Sequence, residues 1–94
     1  MTPYIIKGEN MSKWDKLIEK IRTLSPELRF EEIKKVLESY GYEMRIPKGG
    51  SSHCVFRKSG YSPITIPKHR PMKKVYIELV REVVEREEQS RENN

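Results

Sequence analysis

The chain is poor in cysteine, and it holds no long apolar run. Cys54 is its only cysteine, so no disulfide forms within the chain, which fits a reducing, cytoplasmic setting. Beside Val55 and Phe56 this thiol reads as a small core hydrophobe, with a reactive role next to His53 as the rival. No signal peptide and no stretch of membrane length are expected, since Tyr4-Ile5-Ile6 is too short for either. At 94 residues the chain makes one domain with a modest core. A substrate is therefore expected to lie across a surface, not in a deep cleft. The most telling absence is local. Met44 to Ile77 contains no Asp or Glu, yet holds Arg45, Lys48, Arg57, Lys58, Lys68, Arg70, Lys73 and Lys74.

What is present is unevenly distributed charge. The net charge is +5, but Arg81 to Asn94 carries five Glu against three Arg, which leaves +7 on residues 1–80. A basic body with an acidic tail points to nucleic acid or an acidic protein partner, against the plain alternative of a solvated surface.

The periodicity gives an order of helix, helix, three strands, helix. Residues 1–11 read as a lead-in, with Met11 a second candidate start. Ser12 and Asp15 form a helix-start signature, followed by Trp14, Leu17, Ile18, Ile21 and Leu24 as one apolar stripe, ended by Ser25-Pro26. This makes residues 12–24 a first helix. A second runs from Phe30 to Tyr40, buried through Ile33, Val36, Leu37 and Tyr40, and Gly41 supplies its left-handed stop. The period then shifts to two: Tyr42, Met44 and Ile46 on one face, a turn at 47–51, His53 to Lys58, and Ile64-Thr65-Ile66 closed by Pro67. A last helix begins near Met72 with the stripe Met72, Val75, Tyr76, Leu79, Val80 and Val83, and is expected to fray from Glu85. Three adjacent strands with short turns make an antiparallel meander, one face of which the helices cover.

Alternation places Cys54 and Phe56 on one side of the second strand and His53, Val55 and Arg57 on the other. An imidazole among cations, beside Gly49 and Gly50 whose backbone amides can approach an anion closely, suits work on a phosphodiester. Imidazole titrates near neutrality and suits proton transfer. RNA brings its own nucleophile, the 2′-hydroxyl. Lys48, Arg45, Arg57 and Lys68 are the candidate phosphate contacts. His69 binds phosphate, acts as a second acid or simply starts the helix. A histidine satisfying a loop carbonyl is the structural alternative at His53. His53, Cys54 and His69 are too few ligands for zinc. Trp14, Phe30, Tyr40 and Phe56 fit core stripes, leaving only Tyr61 free to stack on a base, so recognition by shape and backbone is favoured over single-strand stacking.

From Arg29 to about Val84 the chain resembles the HicA toxins, the RNA-cleaving half of HicA–HicB toxin–antitoxin pairs. The likeness runs through Arg29-Phe30-Glu31-Glu32-Ile33, Leu37-Glu38-Ser39-Tyr40-Gly41-Tyr42-Glu43, the turn carrying Ser52-His53 with Phe56 beyond it, and Ile66-Pro67-Lys68-His69. The family pattern has Gly-Ser-His where this chain has Ser51-Ser52-His53, and Cys54 stands where a second imidazole often follows. The resemblance implies an α+β fold, a double-stranded-RNA-binding-domain-like α-β-β-β-α core at 29–84 with an additional N-terminal helix and a charged tail at 85–94. It implies that His53 is the catalytic general acid/base of a metal-independent, cofactor-free endoribonuclease acting on mRNA. Ser52, Lys48, Arg45, Arg57, Lys68 and His69 would contact RNA, and a HicB-type antitoxin would neutralise the enzyme. A non-catalytic RNA-binding module of the same fold and a protein-interaction domain are the rival readings.

Overall fold

The computed structural model describes residues 12–46 and 53–92. Three helices and a three-stranded antiparallel sheet follow in the order α1 (Lys13–Arg22), α2 (Phe30–Ser39), β1 (Glu43–Arg45), β2 (His53–Arg57), β3 (Ile64–Pro67) and α3 (Lys74–Glu92). The sheet order is β1-β2-β3. From α2 onward this is an α-β-β-β-α arrangement, and α1 precedes it. Among the described residues no helix is long and apolar enough to cross a membrane.

Local chemistry sets the helix ends. The Ser12 hydroxyl accepts from the Asp15 amide at 3.0 Å, and the Ser12 amide donates to the Asp15 carboxylate at 3.3 Å, a reciprocal cap that satisfies two otherwise orphaned donors. At the start of α2 the Arg29 amide donates to Glu32 at 3.0 Å. Gly41, at φ 99°, ends α2: the Tyr42 amide reaches the Leu37 carbonyl and the Gly41 amide that of Glu38. Only a residue tolerant of positive φ closes a helix this way without strain. Leu24 performs the same task after α1 at φ 54°, with the Ser25 amide bonded to the Lys20 carbonyl.

One core joins all three helices to one face of the sheet. Leu17 and Ile21 of α1, Ile33, Val36 and Leu37 of α2, and Ile77, Val80 and Val84 of α3 meet Cys54, Phe56 and Ile66. The Phe30 and Phe56 rings lie 6.1 Å apart. Met44 pairs with Phe56 and is half-buried, whereas Ile46 stands beyond the β1–β2 ladder and is 55% exposed, not buried as alternation suggests.

Two apolar stripes are corrected. On α3 the buried residues are Ile77, Val80, Val83 and Val84, while Val75 is 55% exposed and Leu79 is also exposed. At 3.6 residues per turn, Val75 and Leu79 lie about 100° or more around the axis from Val80. They form a second apolar ridge that the packed face excludes. On α1, Trp14 is 39% exposed instead of belonging to the core. The helix α3 also runs past Glu85 to Glu92, because the buried stripe continues into a polar cluster described below.

Candidate functional site

His53 opens β2, and its register partner is Pro67, the last residue of β3. The antiparallel pairing therefore carries the chain out of β3 directly past His53. Two residues later His69 sets its ring edge-on to that of His53, with centroids 6.3 Å apart and planes at 78°. Both residues are exposed. Cys54 is fully buried on the opposite face, which settles its reading as a core hydrophobe and separates it from both imidazoles. Among the described residues no three His, Cys, Asp or Glu side chains gather as metal ligands would.

The cations expected around His53 divide. Arg57 shares the outer face of β2 with His53, about 13 Å away at ~3.3 Å per residue. Arg45 stands opposite Val55 in the register, on that same face. Its guanidinium lies 3.7 Å from Glu43, with both side chains largely exposed, so the pair is weak and leaves the cation available. Lys68, the residue before His69, is exposed, and its ammonium lies 5.7 Å from the centroid of the Phe30 ring at the start of α2, a cation–π placement that is weak at an exposed site. Ser52 and Lys48 lie outside the described residues, as do Gly49 and Gly50. The fold thus brings His53 to His69, with Arg45 and Arg57 spread along the outer face.

Tyr61 is not free to stack, contrary to expectation. Lys58 and Arg86 lie over its ring, at 4.9 Å and 4.1 Å from the centroid. Arg86 donates to the Tyr42 hydroxyl at 2.9 Å and to Glu87 at 3.4 Å, and Lys58 donates to Glu87 at 3.0 Å. The Lys58 hydrogen bond, more than the weaker contacts to Arg86, holds the Glu87 carboxyl below its ordinary range, and partial burial opposes this. Lys58 is accordingly a structural cation, not part of the phosphate set.

Sequence reasoning missed Trp14 as a surface residue, and it left the role of His69 open. The second had a legible signal. Once His53 begins one strand and Pro67 ends its antiparallel neighbour, the two histidines must be close. The first had none, because Trp14 is in phase with the buried stripe of α1. No protein-family model, curated protein or solved structure matches the chain.

Proposed function

We propose that this protein is an endoribonuclease of the HicA type, on a double-stranded-RNA-binding-domain-like core, and that it cleaves mRNA with two histidines. The observation that carries the reading is the exposed, edge-on His53–His69 pair at the end of a sheet face bearing Arg45 and Arg57. His53 takes the proton of a ribose 2′-hydroxyl. The freed oxygen attacks phosphorus, and the bond from phosphorus to the 5′-oxygen breaks. His69 gives its proton to that departing oxygen. The products are a 2′,3′-cyclic phosphate and a 5′-hydroxyl, so the step consumes no water and balances with two imidazoles exchanging one proton each. Arg45 and Arg57 hold the neighbouring phosphates, and cationic neighbours stabilise the extra charge on the pentacoordinate phosphorus.

An unregulated ribonuclease harms its own cell, so a HicB-type antitoxin that covers the histidines and competes for the same cations completes the reading, with the cytoplasm as the place of action. The test is paired expression in a bacterium, wild type against His53→Ala, with growth and total RNA followed. Growth arrest and RNA loss are expected from the wild type. The variant should be slower by about a hundred- to ten-thousand-fold in cleavage of purified RNA. RNA binding without cleavage in both proteins would instead identify a binding module, and neither activity an adaptor for an acidic protein.

A further inference from the structure

Trp14 does not sit in the core but lines a groove of about 360 Å³ between α1 and α2, together with Lys13, Lys16, Lys20, Lys35 and Glu32. Glu32 is already engaged by Lys20 at 3.4 Å and by the Arg29 amide at 3.0 Å. Among the described residues no carboxylate pairs with Lys13, Lys16 or Lys35, whereas Lys34, Lys58 and Arg22 each have one. The placement is unfavourable for the helix itself. Lys13 and Lys16 stand in the first turns of α1, at the positive end of its dipole, and Lys13–Lys16 and Lys16–Lys20 are like charges at repelling spacings. Asp15, the one acid of that turn, is occupied by the Ser12 cap. Glu19 and Glu31 stand at helical spacing from Lys16 and Lys35 but form no ion pair with them, and a half-exposed indole flanked by three unpaired ammonium groups matches a strand with flat bases and a charged backbone.

The groove also has a route to the histidines. A second, larger groove shares Lys20 and Glu32 with it and extends to Arg70, the residue after His69. Its own cations and carboxylates balance, so it offers a path and not an anchor.

We infer that the Trp14 groove is a second RNA-binding site, in which one unpaired base stacks on the indole while Lys13, Lys16 and Lys35 contact phosphates, anchoring a single-stranded flank of the RNA held at His53 and His69. The anchoring role rests on the ribonuclease reading; the binding site does not. Trp14 is the only tryptophan, so its emission reports this groove alone. The experiment titrates His53→Ala protein, which does not consume its ligand, with a twelve-nucleotide oligouridylate. Saturable quenching is expected. Three phosphate contacts on a single strand weaken binding at least about 20-fold between 50 and 200 mM salt. Lys16→Glu combined with Lys35→Glu should shrink that salt effect by about sevenfold. Both positions are exposed, and an unchanged thermal melt of the double variant shows that the fold is kept. Quenching without any cleavage by the wild-type protein supports the site and removes only the ribonuclease reading. Cleavage without quenching overturns the site and leaves that reading in place. Quenching indifferent to salt and to the charge reversals overturns it too. So does equal quenching by a poly-glutamate peptide of the same length, which would make the occupant an acidic protein.

Discussion

At the scale of single residues, the proposed cleavage needs two imidazoles doing different work at the same moment. One must be neutral to take a proton and the other charged to give one. Such a pair produces a rate that rises and then falls with pH. His69→Gln keeps a hydrogen-bonding side chain of similar reach but cannot supply the proton. We expect it to lower the cleavage rate by about a hundredfold and to abolish the alkaline fall, so that the remaining profile rises to a plateau. Initial rates on a defined oligonucleotide across pH check this. A variant that still shows both limbs would place the acid on another group. The neighbour of His53 in sequence, Cys54, is excluded from this chemistry by the pleat of β2, which sends the thiol into the core while the imidazole faces outward.

At the scale of elements, α3 is fastened to the sheet by the cluster of Lys58, Glu87, Arg86, Tyr42 and Tyr61. Its position on the helix explains why α3 does not fray where the charge begins. Glu87 lies seven residues after Val80, two turns along the same buried face. Its carboxyl is held below the ordinary range chiefly by the Lys58 hydrogen bond. A depressed carboxyl contributes stability that is complete above its unfolded pKa and disappears as pH falls through the folded one. Glu87→Gln should therefore unfold more easily at neutral pH by about 1–2 kcal/mol, the scale of a charge-assisted bond. In strong acid, where wild-type Glu87 is itself neutral, the two proteins should converge. Urea unfolding at both conditions measures this, and a gap that persists in acid would mean that the glutamine disturbs packing rather than charge. The elements themselves were legible in the sequence because caps and periods are local: Ser12 with Asp15, Gly41, and the switch from 3.6 to 2 after it. What was illegible is tertiary. Helical phase cannot say which of two apolar ridges on α3 is packed, nor that Trp14, in phase with Leu17 and Ile21, overhangs the end of the core. Equally, nothing local announces that Tyr61 is claimed by a lysine and an arginine from different elements.

At the scale of the whole molecule, the acid-free segment from Met44 to Ile77 and the acidic end of α3 serve opposite purposes. Two carboxylates of α3 are engaged within the molecule, Glu87 by Lys58 and, nearer the surface, Glu88 by Arg22, while Glu78, Glu82 and Glu85 are exposed. The cations on the outer face of the sheet have no such internal use: Arg57 forms no ion pair among the described residues, and Arg45 meets only a weakly held Glu43. On the proposed ribonuclease reading, that asymmetry gives RNA and an acidic inhibitor one face to share, and makes their competition a matter of shared residues. Arg57→Glu places a negative charge at the far end of that face, opposite Glu43 in the register, without touching either histidine. On that reading it should reduce the salt dependence of RNA binding by about 0.7 in the logarithmic slope, one phosphate contact, and weaken neutralisation by a HicB-type antitoxin in the same direction. Binding isotherms across salt, with cleavage measured against increasing antitoxin, compare the two. If RNA affinity falls while neutralisation stays complete at equal stoichiometry, the inhibitor does not use the nucleic-acid face and must act on the histidines from another side. If both fall together, substrate and inhibitor read the same guanidinium, and a protein acting as proposed could not shed its inhibitor's grip there without also loosening its hold on RNA.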